Sequence, residues 1–423
     1  MKKIIAILLA SALLLSLTAC GKKHNKDPLG LSESPLAAPV QTVEYDIPDT
    51  FKIGFICLND EKSIDYTSLI DAIDTIKEAF GISDEQVVIK NNVPETEVCY
   101  QIATELARQG CDVIFANSSR YEDFIIKAAK KYPKVQFCQA NGIKAHTQKL
   151  KNYHNAYASI YEGRYLSGVV AGMKLNEMLE NGDITKKEAK LGYVGAYTCA
   201  DVISGYTAFY IGAKSVCPSV TMDVRFTGSW YDVVAEQKAA EDLIDRKSVI
   251  VSQYTDSMGA PIACQVADVP NLPYGGSTYD SCPDTFLVAS AINWAPYINY
   301  VIECVVTHTA IEDDWCGGIE EGSVILTGFN RDVIAQGTEK AVKQAIADLK
   351  SGKVKVFDTK NFKIKGETLN TYLADVDFDK DSKPDTQAIS DGYFHECEYR
   401  SAPYFDLKID GINFLNEEIL ENQ

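Results

Sequence analysis

The sequence predicts an α/β protein made of two similar lobes, and three observations predict it. From Phe51 onward, short apolar runs alternate with stretches of helical period, the pattern of helices packed on a parallel sheet. The alternation restarts at Leu191, which implies a second lobe like the first. The body beyond the N-terminal segments is about 375 residues long, enough for two domains of ordinary size.

Residues 1–20 read as an export signal: Met1, Lys2 and Lys3, then the apolar run Ile4 to Leu17, then Thr18, Ala19 and Cys20. The run is shorter than the roughly 20 residues of a permanent membrane span. Its Leu17-Thr18-Ala19-Cys20 ending resembles a lipoprotein cleavage box. Cys20 is then the acylated mature N-terminus, and the protein is anchored by lipid on the extracytoplasmic face of the cell membrane. Residues 21–50, basic at first and then rich in Pro, Ser and Ala, read as a flexible tether.

In the first block the expected strands are Phe51 to Cys57, Gln86 to Lys90, Val113 to Ala116 and Val135 to Ala140. Helices are expected at about Ser68 to Phe80, Thr96 to Gln109 and Asp123 to Tyr132. In the second block the strands are Leu191 to Ala196, Thr221 to Phe226, Ser248 to Ser252 and Phe286 to Ala291. Its helices are Val202 to Val216, Asp232 to Asp245 and Ala260 to Val266. Between the blocks, Tyr161 to Lys174 reads as a helix whose Gly163, Gly168 and Gly172 permit close packing. A further helix is expected at about Arg331 to Ser351. Phe357 to Gly411, rich in Asp and Lys, reads as hairpins or loops decorating one lobe.

A formal net charge of -18, with basic clusters only at Lys22 to Lys26 and in short pairs such as Lys130-Lys131, makes nucleic-acid polymers poor partners. Of 12 cysteines, those other than Cys20 form an odd set with no CxxC spacing. Cys57, Cys138 and Cys264 lie in apolar stretches, so mostly reduced, buried thiols are expected and any disulfide pairing stays open. The five histidines, His24, His146, His154, His308 and His395, fall in no ligand spacing, and there is no GxSxG or P-loop. No enzyme, cofactor or metal is expected. Asp375, Asp377, Asp379, Asp381 and Asp385 alternate as calcium-loop ligands do, but the sharp-turn Gly and the twelfth-position Glu are missing, so a solvated acidic loop is expected.

Ligands of open α/β sheets sit at the carboxyl ends of the strands. That rule selects Asn59, Asp60, Asn117, Ser118 and Asn141 from the first lobe. From the second it selects Tyr197 with Thr198, Trp230 with Tyr231, Thr255 with Asp256, and Asn293 with Trp294. Aromatic faces stack on a flat ring while amides, hydroxyls and carboxylates read its edge. Plainer readings stand beside these. Trp230 sits before Asp232, a natural helix cap, and Trp294 precedes a helix with Pro296 early in it. Asp256 lies in a turn before Pro261, and Trp315 beside Gly317-Gly318 suits interlobe packing.

The segment Asn155 to Met173, carrying AYASIYEGRYLSGVVAGM, resembles the BMP (basic membrane protein) family of solute-binding lipoproteins. Tyr193-Val194-Gly195-Ala196, Gly212 to Val216 with Pro218, Gly228 to Asp232, Gln253 to Ser257, Asn293 to Tyr297 and Trp315 to Gly318 agree in order and spacing. The resemblance implies a type I periplasmic-binding-protein fold, two doubly wound parallel-sheet lobes joined by three crossings near Tyr157 to Tyr161, Asn293 and Leu326 to Asn330. The N-terminal lobe is then 51–160 plus about 294–328, and the C-terminal lobe 161–293 plus about 329–423.

The same resemblance implies a purine base or nucleoside as ligand, an ABC permease as partner, and a monomer that closes on its ligand. Asp60, Trp230, Asp280 and Asp256 carry over as ligand contacts, where Asp60, Asp256 and Asp280 are also suited to ribose hydroxyls. Relatives have a Gly and an aromatic just after the aspartate matching Asp60. This chain reads Asp60-Glu61-Lys62-Ser63-Ile64-Asp65-Tyr66, which leaves Tyr66 as the nearest stacking residue. Where nucleoside binders carry a lysine this chain reads Ile292-Asn293-Trp294, as in the subgroup that takes bare bases. A sugar or other small signal in the same fold is the alternative, and an adhesin or sensor without transport is a third reading.

Overall fold

The computed structural model describes residues 31–36, 46–376 and 383–417. The signal segment with Cys20, most of the tether, and Asp377, Asp379 and Asp381 lie outside the described residues.

The first block folds as β1 (Ile53–Ile56), α1 (Ile64–Phe80), β2 (Val87–Lys90), α2 (Glu97–Arg108), β3 (Val113–Ala116), α3 (Glu122–Lys131), β4 (Gln136–Ala140), the short α4 (Ala145–Gln148) and β5 (Tyr153–Ala158). Helix α5 (Ile160–Asn181) leads to β6 (Lys190–Gly195), α6 (Ala200–Val216), β7 (Thr221–Phe226), α7 (Val233–Asp245), β8 (Ile250–Tyr254), α8 (Gly259–Ala267) and β9 (Asn271–Leu272). Then come β10 (Ser290–Ile292), α9 (Ala295–Thr307), β11 (Asp314–Gly317), β12 (Val324–Leu326) and α10 (Thr338–Lys350). Two short hairpins, β13 (Leu373–Ala374) with β14 (Thr386–Gln387) and β15 (Ile389–Ser390) with β16 (Tyr393–Phe394), precede β17 (Ile412–Phe414).

These strands form two parallel sheets. One has the order β11-β5-β4-β3-β1-β2 and the other β17-β7-β6-β8-β9. The central strands β1, β3 and β8 are buried throughout, as strands covered on both faces must be, which is why β1 and β3 read as unbroken apolar runs, while β8 buries Ser252 and Gln253 as well. Two helix starts are held by side-chain caps. Thr96 accepts from the Val98 N–H, and Asp232 accepts from the Val234 and Ala235 N–H groups at 3.1 and 3.0 Å.

The chain visits the first sheet, passes to the second, returns through α9 and β11, and ends in the second with β17. The antiparallel pair β10-β12 lies where the return begins and ends. Helices α5 and α6 pack with backbones in near contact: a Cβ on Gly168 would fall 2.0 Å from the Phe209 carbonyl oxygen, and one on Gly212 2.0 Å from that of Tyr165. The small-residue stripe expected on α5 is thus used for close helix packing.

Several expectations are corrected. Phe286 to Ala291 is not a strand of the second sheet. Phe286 meets the edge of that sheet in a single parallel bridge to Asn271 of β9, and Ser290–Ile292 pairs instead with β12, because the chain is already crossing there. Strands β5 and β11 were not expected, the first because Tyr153–Ala158 runs straight into α5 and resembles a helix approach. Trp315 lies on β11 with its ring 5.2 Å from that of Tyr297, so it packs within the first lobe rather than between lobes. Part of the expected tether is docked: the Ser32 N–H donates to the Phe329 carbonyl at 2.9 Å, the Phe329 N–H to Ser32 Oγ at 2.9 Å, and Leu36 is buried. The cysteines of the described residues are free thiols, and burial pushes those of Cys57 and Cys99 up to about 12. Among the described residues no helix is long and apolar enough to cross a membrane.

Candidate ligand-binding site

The carboxyl ends of the two sheets face one another across a cavity of about 80 Å³. From the first lobe, Leu58 and Asn59 follow β1, Asn117, Ser118 and Ser119 follow β3, and Asn141 follows β4. Asp65 and Leu69 come from α1, Tyr157 from β5, and Ile292 and Trp294 from the segment entering α9. The second lobe supplies Asp201 from α6, Trp230 after β7, Tyr254 and Asp256 at and after β8, and Tyr274 after β9.

Local bonds hold these side chains. Asn117 Oδ1 accepts from the Leu58 N–H at 2.9 Å, tying the loop after β3 to the loop after β1. Trp294 is 6% exposed, its ring edge-on to Phe115 at 4.9 Å. Trp230 is half-buried and backed by Tyr197, edge-on at 5.6 Å. The loop carrying Asp256 is fixed by Glu236, which accepts from Thr255 Oγ1 at 2.8 Å and from the Ser257 N–H at 3.3 Å. The Asp256 N–H donates to the Trp230 carbonyl at 2.8 Å, so the ring and the carboxylate are placed by one frame.

The lobes also touch directly. The Ile64 N–H donates to the Asp256 carbonyl at 3.0 Å, and Ser68 Oγ donates to the Gly275 carbonyl. Asp201 collects donors from both lobes: Tyr254 Oη at 2.8 Å, Tyr157 Oη at 3.0 Å and Asn141 Nδ2 at 3.1 Å. Arg120 of the first lobe lies 5.3 Å from the Tyr197 ring centroid of the second. This is the closed arrangement.

The cleft is acidic and contains no lysine, arginine or histidine. Burial pushes the Asp201 carboxyl up to about 6, against the lowering pull of its Tyr254 and Tyr157 bonds. Burial alone pushes Asp65 up to about 6. Asp256 is driven well above the carboxylate range, by burial first and then by the charges of Asp65, Glu236 and Asp201.

Of the residues selected from sequence, Asn117, Ser118, Trp230, Asp256 and Trp294 line this cavity, as do Asn59 and Asn141. Five do not. Asp60 accepts from Asn92 Nδ2 at 2.9 Å and from the Lys62 N–H at 3.1 Å, so it braces the turn before α1, and the Asn92 bond holds its carboxyl below the usual range. Tyr66 turns into the core, where its hydroxyl accepts from Asn91. One residue earlier on the helix, Asp65 takes the cleft position. Tyr197 supports Trp230 from behind. Asp280 lies exposed outside the cavity. Asn293 spends its side chain on the Gly322 carbonyl and on the Ala295 N–H at the start of α9, at 3.0 and 3.1 Å.

Sequence reasoning missed Asp65, Asp201, Tyr157, Tyr254 and Tyr274. A signal existed for the first two. Each is the second residue of the helix following the first strand of its block, in the first turn, where a carboxylate is favoured by the helix dipole and faces the same crevice. Tyr157 and Tyr254 lie in the last turns of pleat of their strands, just inside the positions the rule selects.

Residues 58–360 match the family model Bmp, described as ABC transporter substrate-binding protein PnrA-like. A purine-binding protein of Brucella abortus (strain 2308) is 31% identical over 346 residues, covering 78% of this chain and 93% of that protein. A protein of Haloferax volcanii, named as a candidate glucose-binding component of an ABC transporter, is 28% identical over 233 residues, covering 55% of this chain and 56% of that protein. Among solved structures, an ABC transporter solute-binding protein from Conexibacter woesei superposes with a TM-score of 0.59 at 19% identity, covering 72% of this chain and 98% of that one. The two parallel sheets are those of the type I periplasmic-binding-protein fold. The chain is a non-enzymatic, extracytoplasmic substrate-binding component that works with a membrane permease, and it belongs to the Bmp family of PnrA-like ABC transporter substrate-binding proteins.

Proposed function

We propose that this protein binds a purine, as the free base, between its two lobes and delivers it to an ABC permease while held at the membrane by lipid on Cys20. The observation that carries the reading is the pairing of Trp230 and Trp294, one from each lobe, on a single small cavity whose other walls are amides, hydroxyls and carboxylates. A planar heterocycle uses both kinds of surface: its face gains about 1 to 3 kcal/mol per aromatic stack, and its edge is read by hydrogen bonds. The similarity to a purine-binding protein over most of both chains supports the same class.

The lining favours a base over a nucleoside. Asp280, suited on sequence to a ribose hydroxyl, is not at the cavity. A hexose is the second reading, favoured by the likeness to the candidate glucose-binding protein and by the Trp and Asp side chains that sugars also use.

Binding works through closure. Ligand bonded to residues of both lobes stabilises only the closed form and shifts the hinge equilibrium towards it. The test is a thermal-shift screen of the purified chain against purine bases, nucleosides and monosaccharides, repeated on Trp230→Ala. Stabilisation by bases, with weaker effects from nucleosides and none from hexoses, is expected. Stabilisation by a hexose alone would overturn the purine reading.

A further inference from the structure

Three acidic side chains reach the cleft, and their surroundings differ. Asp201 accepts three donors, whereas no described residue donates to the carboxylate of Asp65 or of Asp256. Asp256 is only 8% exposed and lines the cavity. The Ile64-to-Asp256 backbone bond at 3.0 Å brings Asp65 of the first lobe beside Asp256 of the second whenever the lobes are shut. The groups facing the pair add no positive charge. Asp65 is faced by Asp256, Asp201, the Cys57 thiol and the Tyr274 hydroxyl, and Asp256 by Asp65, Glu236 and Asp201. A half-buried and a buried carboxylate without donors or a counter-ion are costly while charged, so a ligand that brings donors to both favours closure.

We propose that the ligand spans Asp65 and Asp256 with a continuous edge of N–H donors, so that amino-substituted purines, adenine and guanine, are selected over hypoxanthine and over any anionic ligand. This rests on the purine reading and deepens it. Guanine offers its ring N1–H beside the 2-amino group, and adenine, as its N7–H tautomer, the 6-amino group beside an imidazole N–H. Hypoxanthine places a carbonyl oxygen where adenine has the amino group and lacks guanine's 2-amino donor, so one carboxylate would meet a lone pair. Phosphorylated ligands fail for the same reason in stronger form, since the cleft holds no cation to receive them.

Titration calorimetry on the purified chain with adenine, guanine and hypoxanthine tests this. Adenine and guanine are expected to bind at least about tenfold more tightly than hypoxanthine. Asp65→Asn and Asp256→Asn, which keep the shape but add an amide donor, are expected to erase or invert that order, with melting of the ligand-free variants confirming that they fold. Hypoxanthine binding as tightly as both amino purines overturns the donor-edge assignment while leaving the purine reading intact. Binding of no purine at all overturns both. The ranking on the unaltered chain decides the matter even if a variant fails to fold.

Discussion

The two lobes share a topology, and each brings an aromatic ring and an acid to the cleft, yet their strand ends are weighted differently. The first lobe's carry mainly amides and hydroxyls, Asn59, Asn117, Ser118 and Asn141, with Tyr157 beside them, groups that adapt to donors or acceptors. The second lobe's carry rings and acids, Trp230, Tyr254, Tyr274 and Asp256. The sharpest contrast lies at one equivalent position, the second residue of the first helix in each block. Asp201 is saturated by Tyr254, Tyr157 and Asn141 and fastens the lobes together, while Asp65 meets no donor. A position fixed by topology therefore becomes either a brace or a ligand contact according to whether the opposite lobe supplies donors.

The largest effect should come from the two tryptophans, which sit alike on the cavity but differently in their lobes. Trp294 is 6% exposed and packed on Phe115 and Tyr157, so Trp294→Ala opens a core cavity and should cost about 3 to 5 kcal/mol of stability along with ligand binding. Trp230 is half-buried, and Trp230→Ala should weaken ligand binding by about 1 to 3 kcal/mol with a much smaller loss of stability. Chemical denaturation and calorimetry on the same two variants separate these. Equal stability losses would erase the distinction.

Acidity should act on the unsatisfied pair. In an open molecule Asp65 and Asp256 are apart and hydrated, with ordinary carboxylate behaviour, whereas burial in the closed form pushes Asp65 up to about 6 and Asp256 higher than usual. The closed form thus binds more protons than the open one. Closing the empty cleft is penalised above about pH 6, by about 3 kcal/mol for Asp65, and the penalty fades as pH falls from 6 towards 4. Small-angle scattering of ligand-free protein should show an open form at pH 7 that contracts by pH 5, and ligand should produce the compact form already at pH 7. Asp201, pushed to about 6 by burial in the same cleft, and Glu162 and Glu396, pushed to about 7, titrate in the same range, so the Asp65→Asn, Asp256→Asn double variant is the control. A contraction that survives in it would locate the switch elsewhere.

Removing each of the two equivalent aspartates sharpens the comparison. Asp201→Ala strands the donors of Tyr157, Tyr254 and Asn141 in a buried place, where each unsatisfied group costs about 1 to 3 kcal/mol. Asp65→Ala deletes an acid that nothing pairs, so the melting temperature at pH 7 should hold or rise. Opposite signs are expected for the two variants, and a drop of equal size in both would show Asp65 to be a brace as well.

The α/β class, the two blocks and most strands were legible because parallel strands covered on both faces must be apolar and helices between them must be amphipathic. The cleft was legible where chemistry sits just past a strand, as at Asn117, Trp230 and Asp256. It was not legible where one residue of helical rotation decides. Around α1 the sequence offers Asp60, Asp65 and Tyr66, and only the start of the helix at Ile64 aims Asp65 at the cleft and Tyr66 at the core. The local signs of that start were slight, a Ser63 at the N-cap whose side chain makes no cap bond and an acid in the first turn. The crossings were blurred for a related reason. β5 runs into α5, and β10 forms its ladder with a strand more than thirty residues on, a contact no local period announces.

The smallest effect is expected at Asp60, which separates the cleft from the turn that supports it. Its bonds to Asn92 Nδ2 and the Lys62 N–H brace the turn leading into α1 and hold its carboxyl below the usual range. Asp60→Asn keeps an acceptor for the Lys62 N–H and alters only the exposed bond to Asn92, a change within the small range usual for surface substitutions. Ligand affinity at pH 7 should stay within about twofold of the unaltered protein, less than the 1.4 kcal/mol of a tenfold change. A loss of tenfold or more by calorimetry would move Asp60 into the cleft and with it the start of α1, and the contrast drawn between Asp65 and Asp201 would have to be redrawn around Asp60.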